Sequence, residues 1–480
     1  MSKTSLSLLK NLYDTGDQNE PIVGLRAYKS EFAKLAQTEL GAWKPSRKSI
    51  AENIPFQLLD FFSGAGGMSL GFSALSRIRP FFRHLGGCDI DPDALETYRR
   101  NFHTAGVLQD IRLLANNKKK LERFLADLDD YNPNKPLVIV GCAPCQGFSS
   151  HRKKNWDEAD DRNLLMGTFA KLAIQLKPVC IVMENVPELL SKKYWDHFQQ
   201  ARVVFSKAGY VVHQGIYNAA SFGVPQERFR SLIIAMRRDH VLPQEMLDSE
   251  KFVSVRQAIG HLPKVAPGKY HPVDSFHRSA HHRPSTLETI RAVPRNGGSR
   301  PFGIGPKCLD KVRGYYDVYG RLYWDRPAIT ITHYSRNPAS GRYVHPVQDR
   351  GLTMREAALL QSFPVGFEFI GSFDSVFKQI GEAVPPMFAC AVASNVLVEL
   401  LAAPPLESEK SVSVPFVTEP VSSSFSSVIS GLKQSKKSRW NSRASTAFPE
   451  QGECASDSST PDTMSCSALT TNLTALKPKT

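Results

Sequence analysis

The sequence lacks several things that would each have set its class. No run of about eighteen consecutive apolar residues occurs, the length a spanning helix needs, so no membrane span is expected. The apolar part of residues 1–10 is too short for a secretory signal, and Asp14, Asp17 and Glu20 stand where a transit peptide avoids acid. The eight cysteines are scattered, without the spacing of a disulfide framework, which fits a reducing compartment. His277, His281 and His282 have no cysteine or carboxylate at ligand spacing, so no metal is expected there. No internal repeat is present. Acid is short relative to base, 46 residues against 60, which leaves a net charge of +14. That surplus favours an anionic partner, nucleic acid first, and says nothing about fold.

What is present reads as an α/β chain of 480 residues, long enough for two to three domains. Residues 1–53 form a polar N-terminal arm. Within it Ser30–Glu39 has helical periodicity that Gly41 and Pro45 would stop, and no function is assigned to it. Residues 54–236 carry the main run of strands and helices. Phe56–Phe62 reads as a buried strand entering the turn Ser63-Gly64-Ala65-Gly66-Gly67. Strand, glycine turn, helix is the geometry in which backbone N–H groups and a helix N-terminus come close to a ligand. The turn could serve NAD, FAD or S-adenosylmethionine, or be only tight; its spacing is not the dinucleotide fingerprint, which weighs against NAD.

The second strand lies near His84–Asp89, and Asp91-Pro92 starts a helix. Asp89 is placed to accept ribose hydroxyls or to cap that helix. Gln109-Asp110-Ile111 ends a third strand, where Asp110 could meet an adenine amino group or cap. Pro136–Val140 is a buried strand that presents Cys145 beyond its carboxyl end, where open α/β sheets bind ligands. A polar stretch from His151 to Arg162 follows, with the character of a mobile surface loop. Pro178–Glu184 is an apolar strand ending in a carboxylate. In the extended segment after Phe222, Gln226, Arg228 and Arg230 share one face. Residues 237–325 are basic and rich in loops. Residues 326–403 return to regular structure, with strand character at 326–333, a capping box of Thr353 and Glu356, and an apolar helix from Met387 to Leu401. From 404 to 480 serine, threonine and proline dominate, the composition of a disordered tail.

Six pieces occur in the order seen in the DNA cytosine-5 methyltransferases, and the chain resembles their bacterial members over roughly residues 56–400. They are Asp60–Gly67, Pro144–Ser149, Glu184-Asn185-Val186, Gln226–Arg230, Arg326–Thr330 and Gly381–Pro385. The resemblance implies a Rossmann-like S-adenosylmethionine-dependent methyltransferase sheet with a smaller, loop-rich target-recognition domain at 237–325. It implies Cys145 as the nucleophile, Glu184 as the acid at cytosine N3, and Arg230 with Arg228 as the residues holding the base's O2 and the loop. A free thiol titrates near about 8.5 and needs help to react as thiolate.

The cofactor implied is S-adenosylmethionine, against Phe62, Gly64, Gly66 and Pro144, with ribose on Asp89, adenine near Ile90 and Asp110, and the carboxylate end near Glu382. Members of the family usually carry asparagine at the position of Glu382 and often a large aromatic at that of Ile90. The partners implied are duplex DNA and a cognate restriction endonuclease, for a monomer in a bacterial cytoplasm, associated with the nucleoid and free of the membrane. Three rival readings have less support, and the first, a catalytically dead DNA-binding protein, is opposed by the intact Cys145, Glu184 and Arg230 set. Cys142-x-x-Cys145 as a redox or zinc pair has no second pair nearby. The RNA-directed branch of the family carries a Cys-Phe-Thr that is absent from 237–325, and a threonine where Ser149 stands.

Overall fold

Apolar runs that are continuous rather than alternating mark strands covered on both faces. The computed structural model bears this out: every residue of β1 (Phe56–Phe61), β4 (Leu137–Gly141) and β5 (Cys180–Asn185) is buried. The structure describes residues 22–45, 53–144, 164–310 and 317–406, with Ser7, Glu409, Val417 and 419–421 besides. Residues Met1–Val428 form one compact unit, and Ile429–Thr480, a second unit, lies outside the described residues.

With β2 (Phe82–Asp89), β3 (Ala105–Leu108), β6 (Val211–Asn218) and β7 (Phe229–Met236) the strands form a seven-stranded sheet of order β3-β2-β1-β4-β5-β7-β6. β1 to β5 run parallel, and β7 runs antiparallel to both its neighbours. The order reverses between β1 and β4, the switch point at which such sheets bind ligands. Because β7 is reversed, its first residues lie at the same end of the sheet as the last residues of β5: Glu184 pairs with Leu232 and Asn185 with Ser231.

The helices are α1 (Lys29–Gly41), α2 (Gly67–Ile78), α3 (Pro92–Phe102), α4 (Ile111–Ala115), α5 (Lys118–Ala126), α6 (Leu165–Gln175), α7 (Trp195–Lys207), α8 (Val255–Ile259), α9 (Pro284–Ala292), α10 (Met354–Leu360), α11 (Phe373–Glu382) and α12 (Pro386–Leu401). Right-handed crossovers leaving β1 and β4 in opposite directions put α2 and α6 on opposite faces. α1, α2 and α12 pack together, as do α4, α6 and α7. Gly71 lets α2 come close to α12, since a Cβ there would strike the backbone of Ala389 and Cys390. The stretch Phe373–Leu401 is long and apolar enough to cross a membrane by length and composition alone, but most of its apolar window is buried inside the protein. The turn Ala383–Pro385 also divides it into α11 and α12.

The arm is a packing element. α1 lies on α2 and α12, and Arg26 and Lys29 hold the wholly buried Glu399 at 2.8 and 2.5 Å. The strand expected at 326–333 is instead an irregular crossing segment that pairs only at Ala328, with Gln226. Its carbonyls face side chains: Ile331 O accepts from Arg228 and Thr330 O from Tyr343. The third strand stops at Leu108, because Asp110 caps α4. The capping box of Thr353 and Glu356 is present at α10.

Within 237–325 only α8 and α9 are longer than a single turn among the described residues. Buried guanidiniums do the work of strands there. Arg321 donates to the carbonyls of Ile290, Val293, His345 and Gln348, and Arg350 donates to Val265 O and to both oxygens of Glu356. His277 joins Thr353 to Pro263 O, and His282 accepts from Gly351 N. Beyond residue 404, Val417 exchanges hydrogen bonds with Gln214 on β6, and Val421 with the turn Leu190–Lys192.

Candidate active site

β4, β5 and β7 bring three of the sequence-predicted positions to one end of the sheet. Glu184, the last residue but one of β5, is 8% exposed, and its Oε1 lies 2.8 Å from Arg230 Nε at the start of β7. The Glu184 contact is an ion pair, and Arg230 donates its hydrogen bond to Phe229 O at 2.7 Å. Beside them the chain leaves β4 through Cys142, Ala143 and Pro144, and Asn185 anchors this turn by donating to Ala143 O at 3.1 Å. The Cys142 thiol is pushed well up by burial, with the Glu184 and Asp60 carboxyls adding to it, so it stays protonated. Cys145 and the polar stretch after it, to residue 163, lie outside the described residues.

The glycine turn after β1 forms the adjoining half of the site. Phe62 and Gly66 both take positive φ, 56° and 90°, and Gly64 takes 49° with nothing within 4 Å of where a Cβ would sit. Phe62 is a bulky residue in the left-handed region, the kind of strain that functional turns carry. Asp89, at the end of β2, receives three backbone N–H groups: Gly64 on one oxygen, Ile90 and Asp91 on the other. Burial raises its pKa, those hydrogen bonds pull it back, and the Asp91 charge adds to the rise. Ile90 and Leu108, at the ends of β2 and β3, leave large apolar side chains in the open, 69% and 58% exposed. Asp110 caps α4 and binds Arg112, whose hydrogen bond lowers its pKa. Asp91 caps α3 and pairs with Lys378 at 2.6 Å.

The third wall is the turn between α11 and α12. Gly67 lies directly against Val384 O, where a Cβ would collide, so this turn is seated on the glycine turn. Glu382 is exposed at the end of α11, and its negative charge and those of Asp91 and Asp89 act together on Lys378 one helical turn earlier. Arg228 is not beside Glu184. It is 2% exposed and donates to Ile331 O, Gly381 O and Ala383 O at 2.9, 3.0 and 3.1 Å, tying the crossing segment to the α11–α12 turn.

Sequence reasoning gave Asp60 no role. It is buried in mid-strand, holds the Ser69 hydroxyl at 2.6 Å, and Ser69 in turn meets the Tyr98 hydroxyl at 2.9 Å. Burial drives Asp60 up to about 7, Ser69 opposing and Asp89 adding to the rise. The available signal was an acid inside a mostly apolar strand. Lys378 was missed as well; its partner is 287 positions away, beyond what periodicity can show.

Residues 56–397 match the family of C-5 cytosine-specific DNA methylases. The chain belongs to that family. It is 35% identical over 341 residues to the Type II methyltransferase M1.HphI of Haemophilus parahaemolyticus, an alignment covering 71% of this chain and 86% of that protein. It is 31% identical over 357 residues to the Type II methylase M.HgiDII of Herpetosiphon aurantiacus, covering 71% and 94%. In fold it is similar to a putative DNA modification methyltransferase encoded within an E. coli prophage, with TM-score 0.55 at 23% identity, covering 72% of this chain and 99% of that one. Family and fold are those of S-adenosylmethionine-dependent methyltransferases, and the C-5 methylase is a cytosine-modifying enzyme of DNA.

The walls just described suit that cofactor. Asp89 keeps one acceptor position, on Oδ2, after accepting its three N–H groups, Ile90 and Leu108 leave apolar surface exposed, and Gly64 leaves open space above the turn.

Proposed function

We propose that this C-5 cytosine methylase acts on a cytosine flipped out of a specific duplex sequence, through a covalent bond from Cys145. The observation that carries this reading is the Glu184–Arg230 pair at the strand ends, beside the turn that Asn185 anchors at Ala143, two residues before Cys145 in the sequence. Carbon 5 of cytosine is a weak nucleophile. Addition of the Cys145 thiolate to carbon 6 moves an electron pair toward N3 and leaves carbon 5 enamine-like, splitting one hard step into easier ones. Glu184 gives a proton at N3, and Arg230 holds both that carboxyl and the ring's O2. Bound S-adenosylmethionine supplies an electrophilic methyl group on its sulfonium. Loss of the carbon 5 proton to water, return of the N3 proton to Glu184 and departure of the thiolate then restore the ring and free Cys145. These groups meet only if the base leaves the stack, at a cost of a few kcal/mol.

Asp89 would hold the ribose, Ile90 the adenine face, and Phe62, Gly64, Gly66, Pro144 and the Glu382 turn the remainder. Asp110, committed to Arg112 and its helix, would meet adenine only through its backbone. Arg228 acts at one remove, positioning the α11–α12 turn. Residues 237–325 would enter the major groove and choose the sequence. The chain would work as a monomer in a bacterial cytoplasm, at the nucleoid, beside a cognate endonuclease, as the Type II naming of its relatives suggests.

The test is to incubate the protein with duplex DNA and methyl-labelled S-adenosylmethionine and digest the DNA to nucleosides. Label in 5-methyldeoxycytidine supports the reading. Label in another base, or none, contradicts it.

A further inference from the structure

Two loops of the 237–325 region hold apolar side chains almost wholly in solvent: Phe302 is 85% exposed and Val273 is 90% exposed. Neither loop is loose. Around Phe302, Arg300 pairs with Asp310 at 2.9 Å and also donates to Pro301 O and Ile304 O, while Gly303 and Gly305 take φ of +78° and +80° to close the bend. Around Val273, backbone bonds from Gly268 N to Ala280 O, His271 N to His277 O and Ser279 N to Lys269 O form a narrow tongue, and Arg355 holds Asp274 at 2.8 Å. The roots of the two loops share one buried network. Arg350 holds Val265 O, Arg321 holds Ile290 O and Val293 O, and both guanidiniums bond to Gln348.

A stiff loop that spends its tip on an exposed hydrocarbon is built for a partner. The charges around the tips choose which one. Lys264, Lys269, Arg283, Arg291, Arg295 and Lys307 are all exposed, against one exposed acid, Glu288, on α9, while Asp274 and Asp310 are already paired. That is the field of a polyanion site. On the edges of duplex DNA the one hydrocarbon feature is the thymine methyl group, presented in the major groove and read there by apolar side chains.

Resting on the function proposed above, we propose that Phe302 and Val273 are apolar readers of thymine methyl groups, so that the target sequence contains thymine next to the modified cytosine. Uracil in place of thymine removes only the methyl, which allows a direct test. With the target known from sequencing of methylated DNA, duplexes are made in which each thymine in turn becomes uracil. Binding and single-turnover methylation are then compared for the wild type, Phe302→Ala and Val273→Ala. At one thymine, uracil should weaken wild-type binding about 4-fold, the loss of one buried methyl group. The alanine variant facing it should bind that weakly on either duplex. Both side chains are exposed, so neither change threatens the fold.

A target without thymine overturns the proposal. So do variants that lose nothing, or that lose equally on both duplexes. Those results, with normal wild-type methylation, sink this inference alone. A wild type that methylates no duplex sinks the function it rests on as well.

Discussion

Glu184, Arg230 and Asn185 show how a short set of residues at strand ends can define a site. Glu184 was legible in the sequence as a carboxylate at the end of an apolar run, and Arg230 as a cation in an extended segment. What the sequence could not say is that the two touch, because that follows from β7 running against β5. The alternation that put Arg228 and Arg230 on one face does not say what each guanidinium meets. The guanidinium of Arg228 turns to three carbonyls at 2.9–3.1 Å. Replacing Glu184 with Gln removes the proton donor of the proposed mechanism without changing shape. The expected result is a fall in kcat of about 10²–10⁴-fold with S-adenosylmethionine affinity unchanged. Titration calorimetry and single-turnover rates read the two quantities separately, and an equal loss in both would show a structural role.

At the level of elements, the glycine turn, the Asp89 strand end and the α11–α12 turn are three pieces from distant parts of the chain. The first two were legible as strand–turn–helix patterns. The seating of the third on Gly67 was not, since it depends on a contact across more than 300 positions. Gly67→Ala should push the Ala383–Val384 turn away, because the new Cβ meets Val384 O. S-adenosylmethionine binding should weaken roughly tenfold or more, at about 1.4 kcal/mol per tenfold, and the melting temperature should fall as well, because the displaced atom is backbone. Binding unchanged by calorimetry would show that the turn does not shape the cofactor wall.

In the first turn of α10, burial raises the Glu356 carboxyl, but the Arg350 guanidinium and the hydrogen bonds around it more than reverse this and hold it at about 2. A pKa lowered on folding adds stability above the unfolded value, near 4.5, and that stability is lost as pH falls toward 2. Glu356→Gln should therefore cost about 3–5 kcal/mol at neutral pH, because it leaves Arg350 buried without its counter-charge. The cost should shrink at pH 3. Urea melts at the two pH values check this, and an equal cost at both would contradict it.

For the whole molecule, the family match begins at residue 56 and ends at 397, yet the fold reaches beyond both limits. α1 packs on α2 and α12, and Ile22 pairs with Ala402. Glu399 gathers Arg26 and Lys29: burial lowers the Lys29 ammonium to about 8 while Glu399 works to keep it charged. The periodicity of Ser30–Glu39 announced a helix but not its neighbours, because the apolar face does not say what covers it. Removal of residues 1–45 should expose the faces of α2 and α12 and take from Glu399 its two ion-pair partners, Arg26 and Lys29. A chain that aggregates or melts well below the full-length protein is expected, and an unchanged melting temperature would make the arm dispensable.

The chemistry proposed for the whole enzyme comes down to one sulfur acting on DNA. Bisulfite sequencing of DNA from cells expressing the wild type or Cys145→Ser reads it directly. Unconverted cytosines at one recurring sequence in the first and none in the second are expected. Protection that survives in the Cys145→Ser cells, or no protected cytosine with the wild type, would contradict the mechanism.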